Sequence, residues 1–432
     1  MLTDFGTRHA LLLQGPVGPF FRRFADELIA DGAIVTKVNF NPGDALFFRG
    51  PEVVSYREPM EVWPEFFRNL VTERSIDGLF LFGDCRRLHR QAVGIARELG
   101  IPVWVFEEGY LRPDHFTVER GGVNGHSHLP KDPEVYRRAA RELPPLSAPT
   151  SVGNTFPSWA LWTTMHSVAC TFARWRYPLY RHHRDVNSLT QAACWVRGGA
   201  RKLWYARREE GILEELSGEY DDHYFFVPLQ VHCDSQIDHS DYACLEEMIE
   251  EVVSTFARHA PAGTLLVLKH HPHDRAYRDY TSFLRALGEH YRCSDRLRYV
   301  HDLHLPTLLK HARGTITMNS TVGTSSLYHG TPVKVMGRAI YDVPELTFQG
   351  SLVDFLADPG EVDTELFDGF CRYLRHVNQV NGSFYRQVSG LPNWSRIHPT
   401  VEPTRRRGRL VRPPAASGRV WTPAPGHGGA RA

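Results

Sequence analysis

Ala10-Leu11-Leu12-Leu13-Gln14-Gly15-Pro16-Val17-Gly18-Pro19-Phe20-Phe21 decides the fold class. The apolar run 10–13 is short enough for a buried strand, and the loop 14–19 holds two glycines and two prolines. Phe20, Phe21, Phe24, Leu28 and Ile29 then recur at helical spacing until Asp31-Gly32. Strand, glycine loop and helix in that order form the repeating unit of a parallel α/β layer. The cycle continues with a strand over 34–40, a helix over 63–74, a strand over 78–82, a helix over 86–99 and a strand over 102–106, which predicts a doubly wound, Rossmann-like domain over 1–150.

From 157 to 216 the pattern changes to helix without clear strands and holds five of the nine tryptophans. This stretch, 151–220, is read as a helical aromatic and basic linker. Alternation then returns: strands over 224–229, 265–269, near Tyr299, 315–318 and 333–336, with helices over 242–258, 277–287, 306–311 and 321–329 between them. A second Rossmann-like domain over 221–362 follows, then closing helices over 363–398. The tail 399–432, rich in Pro, Gly and Arg, is expected to be disordered. Two α/β domains of this size leave an interdomain cleft that faces the carboxyl ends of their strands, and chemistry is expected there.

The 432 residues carry 50 Lys plus Arg against 49 Asp plus Glu, a net of +1, so no whole-molecule field draws the chain to nucleic acid. No apolar run reaches the roughly 18 residues of a membrane span, and no basic-then-hydrophobic leader opens the sequence. A cytoplasmic protein without a signal peptide is expected. Seven scattered cysteines without a C-x-x-C pair argue against a disulfide framework or a zinc knuckle.

Polar clusters fall directly after predicted strands. In the first loop Gln14, Gly15 and Gly18 allow either an anion or acceptor contact or a plain strand-to-helix turn. Glu107-Glu108-Gly109-Tyr110-Leu111-Arg112-Pro113 places adjacent carboxylates at a strand end, one free to face the cleft as acid or base and the other to anchor the loop through Arg112. In Gln230-Val231-His232-Cys233-Asp234 the aspartate reads as nucleophile or general base, or else as a side chain capping its own turn.

Lys269-His270-His271-Pro272-His273 suits a phosphate better than a metal, because consecutive residues at one strand end cannot all converge on an ion. Asn319-Ser320-Thr321-Val322-Gly323 runs from strand into helix through small hydroxyl residues, a second phosphate cradle. Two such loops in one domain suggest a nucleotide leaving group held by Lys269, His271, Pro272, Asn319, Ser320, Thr321 and Gly323. Trp159, Trp162 and Trp175 interleave with Arg174 and Arg176, the composition either of a lipid-interface surface or of an aromatic core with a solvated basic face.

Taken in order, Leu13-Gln14-Gly15-Pro16, Glu107 to Pro113, Leu229-Gln230-Val231 with Asp234-Ser235-Gln236, Lys269-His270-His271-Pro272 and Asn319 to Gly323 resemble the bacterial capsule polysaccharide biosynthesis proteins of the KpsS or LipB type, which are β-Kdo glycosyltransferases. The resemblance spans residues 8–390. It implies an α/β GT-B-like pair of Rossmann-type domains, a CMP-β-Kdo donor, no cofactor or metal, and a phosphatidylglycerol-type lipid acceptor. It further implies a peripheral place on the inner face of the inner membrane, with capsule assembly or export proteins as further partners. The same resemblance gives Asp234 the role of catalytic nucleophile of a retaining reaction, with Glu107 and Glu108 as further catalytic groups. Gln14, Gly15, Gly18, Arg112 and Gln230 would contact substrate. Two alternatives remain open: a CDP-polyol phosphotransferase of the teichoic-acid type, and a non-catalytic partner of capsule export.

Overall fold

A computed structural model describes residues 5–50, 52–180, 188–232 and 235–388. Asp234 and the tail after Pro399 lie outside the described residues.

The amino-terminal half runs β1 (His9–Leu12), α1 (Phe20–Ala30), β2 (Ile34–Asn39), α2 (Pro42–Phe47), β3 (Val53–Ser55), α3 (Trp63–Glu73), β4 (Gly78–Phe82), α4 (Arg87–Glu98), β5 (Val103–Glu108), β6 (His115–Arg120) and α5 (Pro133–Glu142). Three helices follow: α6 (Phe156–Phe172), α7 (Ser188–Arg208) and α8 (Ile212–Ser217). The second half runs β7 (Tyr224–Pro228), α9 (Leu245–His259), β8 (Leu265–Lys269), α10 (Thr281–Tyr291), β9 (Leu297–Val300), α11 (Leu305–Lys310), β10 (Gly314–Thr317), α12 (Val322–Tyr328) and β11 (Val333–Val335). It ends with α13 (Leu352–Ala357), α14 (Thr364–Val377) and β12 (Gln379–Asn381).

Two sheets result, ordered β12-β6-β5-β4-β1-β2-β3 and β11-β10-β7-β8-β9. Strand periodicity explains why each is buried on both faces. In the first, Leu11, Leu79, Leu81, Val103 and Val105 pack to one side, and Ala10, Leu12, Phe80, Trp104 and Phe106 to the other. In the second, Phe225, Val227, Leu266 and Leu268 oppose Tyr224, Phe226, Leu265 and Val267. The paired Rossmann-type sheets and the helical insertion give the expected GT-B-like α/β architecture.

The carboxyl-terminal part differs from the sequence reading. Of residues 363–398, expected as closing helices, 389–398 lie outside the described residues, and within the rest α14 is followed by β12, which pairs antiparallel with β6 at Gln379↔Thr117. β6 itself, antiparallel to β5, is a strand that the helix-and-strand alternation missed, because a hairpin interrupts the cycle there. α14 packs on α5 so closely that a Cβ at Gly369 would lie 2.1 Å from the Tyr136 carbonyl oxygen. Tyr110 and Tyr136 share one apolar cluster with Val333, Tyr341 and Phe370, so the two halves have a common core on this side.

Candidate functional site

In each sheet the strand order reverses beside its first strand, between β1 and β4 and between β7 and β10, and loops diverge there to leave a crevice. At the first crevice lies a cavity of about 770 Å³. Its floor is the predicted loop: Gln14 Nε2 donates to Asp44 Oδ1 (3.2 Å), while its Oε1 accepts from Arg86 (2.7 Å). Asp44 also accepts from the Phe40 and Asn41 nitrogens, and His166 Nε2 stands 4.0 Å from it. Gly15 and Gly18 line the wall, and any Cβ there would strike Phe21 or Trp162. Lys37, 3% exposed, reaches the cavity from β2 and donates to the Val38 carbonyl. Burial lowers its pKa to about 8, against the opposing pull of Asp44.

Glu107 and Glu108 both line this cavity. Glu107 Oε1 accepts from the Glu108 amide (2.9 Å), and Glu108 Oε1 from the Tyr385 hydroxyl (2.6 Å). Arg112 is not the anchor expected for this pair: its Nε donates to the Gly109 carbonyl (3.1 Å). The loop is held instead by Gln379, whose Oε1 accepts from the Tyr110 and Leu111 amides.

The second crevice gathers the other predicted loops. Gln230, after β7, donates to Asn319 Oδ1 after β10 (2.9 Å), and its own buried Oε1 has no partner. Ser320 Oγ accepts from the Val322 amide, and the Ser320 carbonyl accepts from the Tyr341 hydroxyl. Thr321 makes no side-chain cap. A Cβ at Gly323 would lie 2.3 Å from the Tyr341 oxygen, so only glycine fits. Lys269 is 9% exposed and donates to the His301 carbonyl (2.8 Å), turned inward rather than toward the crevice.

The adjacent histidines diverge. His270 Nδ1 contacts the Tyr299 hydroxyl within the core, whereas His271 Nδ1 accepts from the His273 amide across the Pro272 turn. Burial, followed by the neighbouring His273 and Lys269, brings His271 down to about 3, so it stands neutral. The cavity at the first crevice is lined by none of these second-sheet residues; from beyond residue 220 it takes Tyr277 and Tyr385.

α6 carries two faces. Trp159, Thr163, His166 and Cys170 follow one side into the cavity, and Arg174 joins them from just beyond the helix end. Leu161, Met165, Val168 and Phe172 follow the other and are exposed, with Trp175 beyond the helix end; Phe172 and Trp175 are each 78% exposed. Trp159 and Trp162, both placed at a lipid interface by the sequence, are half-buried rather than exposed. Trp159 lies against His273 at 5.1 Å, and Trp162 donates to the Tyr385 carbonyl. Arg174, Trp175 and Arg176 are exposed, and on α7 so are Val196, Leu203 and Trp204. No helix among the described residues is long and apolar enough to cross a membrane.

Residues 77–385 match the family described as "Capsule polysaccharide biosynthesis protein". The chain belongs to this capsule polysaccharide biosynthesis family. It is 41% identical over 380 residues to the capsule polysaccharide export protein KpsS of Escherichia coli, covering 87% of this chain and 96% of that one. It is 39% identical over 387 residues to the capsule polysaccharide modification protein LipB of Neisseria meningitidis serogroup A, covering 88% and 92%. Among solved structures it is similar to Thermosulfurimonas dismutans KpsC, beta Kdo 2,7 transferase, at a TM-score of 0.38 and 14% identity, over 83% of this chain and 89% of that one. A likeness that distant carries no inference.

This capsule-family chain also brings together residues that the sequence reading passed over. His232 Nδ1 pairs with the fully buried Asp274 (2.6 Å), fixing the segment just before Asp234. Asp84 and Cys85, after β4, meet His126 and His239. The signal was present, since Gly83-Asp84-Cys85-Arg86 is a polar group at a strand's carboxyl end. Its partners lie in distant segments, which no local motif reports.

Proposed function

We propose that the protein is a glycosyltransferase that moves Kdo from CMP-β-Kdo to a phosphatidylglycerol-type lipid, with retention of configuration. The observation that carries this reading is α6, with one face in the carboxylate-lined cavity and the other, apolar, on the surface. A lipid whose acyl chains stay at the bilayer can reach such a cavity with its head group alone. Family membership and the word "modification" in the name of the Neisseria relative support the same reading.

In this scheme Asp234 attacks the anomeric carbon while the bond to the CMP phosphate oxygen breaks and its electron pair leaves with the phosphate. Ser320, Thr321, Asn319 and the turn at His271-Pro272 hold that phosphate, with Gly323 keeping the helix start close. A glycerol hydroxyl then displaces Asp234, giving its proton to Glu107 or Glu108, so two inversions restore the configuration. Gln14, Gly15 and Gly18 line the acceptor path, Lys37 and Arg86 face its phosphate, Gln230 spans the donor loops, and Arg112 takes the sugar carboxylate. Membrane contact falls to Arg174, Trp175 and Arg176 together with the outer face of α6, at the inner face of the inner membrane.

The test is CMP release from freshly made CMP-Kdo, with and without phosphatidylglycerol and without added divalent cation, for wild type and Asp234→Ala. Lipid-dependent release with a Kdo-sized mass gain on the lipid, lost in the variant, is expected. Release from CDP-glycerol instead would favour the polyol phosphotransferase, and normal capsule initiation in cells carrying Asp234→Ala would favour a non-catalytic export partner.

A further inference from the structure

Asp84, Cys85, His126 and His239 each point one donor atom into a space where all four lie within 4.8 Å of one another. Asp84 and Cys85 follow β4 in the first half, His126 closes the single turn Asn124–His126, and His239 closes the turn Ser235–His239 in the second half. All but His126 are buried.

Separations between donors resemble a coordination sphere. Cys85 Sγ to His239 Nε2 is 3.0 Å, His126 Nδ1 to Asp84 Oδ2 is 3.1 Å, Cys85 Sγ to Asp84 Oδ1 is 3.5 Å, and His239 Nε2 to Asp84 Oδ1 is 4.0 Å. Tetrahedral zinc, with bonds of about 2.0 Å to nitrogen and about 2.3 Å to sulfur, sets neighbouring donors about 3.3 to 3.6 Å apart. Asp84 meets His126 through Oδ2 and meets Cys85 and His239 through Oδ1, and the four distances bracket that interval. One thiolate, two imidazoles and a carboxylate form a ligand set that zinc accepts.

The surroundings hold the set in place. The Val123 amide donates to Asp84 Oδ2 (3.2 Å), orienting the carboxylate. The Arg338 amide donates to the His239 carbonyl (2.9 Å). A Cβ at residue 125 would come within 2.6 Å of His239 Nδ1, so Gly125 permits the imidazole its place. His239 is 1% exposed, and its Nδ1 has no partner, which leaves the Nε2 side as the one that fixes the ring.

We propose that these four residues bind one Zn²⁺, a clasp across the cleft between the two sheets. Binding displaces the Cys85 thiol proton to solvent, and the ion ties the segment after Asp234 to the end of β4. It shares no residue with the phosphate loops, so the proposal stands whether or not the transfer reading does.

Metal content measured on full-length protein purified without chelator and dialysed against micromolar Zn²⁺ tests it, together with the spectrum of Co²⁺-loaded protein. About one equivalent of zinc is expected, with a sulfur-to-cobalt charge-transfer band that disappears in Cys85→Ser. His126→Ala, at the one exposed ligand, should bind zinc at least about tenfold more weakly and lose the Zn²⁺-dependent rise in Tm. Sub-stoichiometric zinc with no charge-transfer band overturns the site, as does a full equivalent that persists unchanged in both variants.

Discussion

Tyr385 donates its hydroxyl to Glu108 at 2.6 Å, joining a carboxylate at the end of β5 to a side chain 277 residues downstream. Removing that donor in Tyr385→Phe leaves Glu108 in the cavity without the contact that orients it. A hydrogen bond to a charged group contributes about 1.5 to 3 kcal/mol, so kcat should fall about 10- to 100-fold with little change in KM for the donor. Steady-state kinetics with CMP-Kdo and lipid check this, and an unchanged kcat would remove Glu108 from the proposed chemistry.

Lys37 titrates near the working pH. With its pKa at about 8 it is cationic below that value and neutral above, so attraction for a phosphate head group should weaken as pH rises through about 8. The acceptor KM of wild type should climb across that range, while Lys37→Met should show a raised, flat KM. A wild-type KM independent of pH would place the acceptor phosphate elsewhere.

Gly323→Ala drives a methyl into the Tyr341 hydroxyl, which lies 2.3 Å from where the Cβ would be. Overpacking of this kind costs about 1 to 3 kcal/mol. Urea denaturation should show that loss, and CMP should bind more weakly. Trimming the ring with Tyr341→Leu in the same chain, which takes away the hydroxyl and the two ring carbons that a Cβ would meet at 2.4 and 2.6 Å, should recover part of it; no recovery would mean that the strain arises elsewhere.

Glu119 is buried between the Tyr110 and Ser127 hydroxyls, and burial raises its pKa from 4.5 to about 7. Below about 4.5 it is protonated in both states and its contribution to stability is complete. As pH rises toward about 7 the unfolded chain ionises first, so stability declines and then levels once the folded carboxyl also ionises. Unfolding free energies measured across this window should show that slope in wild type and a flatter one in Glu119→Gln.

Replacing the exposed Phe172 and Trp175 together by Glu should lower binding to phosphatidylglycerol vesicles about tenfold or more. Activity on a water-soluble short-chain acceptor should fall much less. Sedimentation with vesicles measures the first and CMP release the second; equal losses would assign these residues to packing.

The doubly wound sheets were legible because strands such as Gly78–Phe82 are apolar throughout and each ends in a polar loop. β12 was not: Gln379-Val380-Asn381 is three residues long and follows a helix whose pattern runs into it, so its pairing with β6 depends on tertiary contact. Glu107 and Glu108 at the end of a strand, and Gln14 and Asn319 just after one, were legible as polar groups at the crevices. Lys269 looked equally suitable, but residue order cannot say that its side chain turns back to the His301 carbonyl. The two-sided character of α6 was also hidden. Its apolar residues surround the helix, and only the position of the cavity distinguishes a wall such as Trp159 from a surface such as Phe172.

Because β12 and Phe384 complete the first sheet, the order of synthesis and the order of assembly cannot coincide. Phe384 is 1% exposed and wedges between Phe20 and Phe116, each 4.8 Å away. A ribosome therefore delivers every strand of the second sheet before the first has its outer strand and this ring. Until then β6 presents an open edge beside an empty aromatic socket, a surface prone to wrong pairing and a natural target for a chaperone.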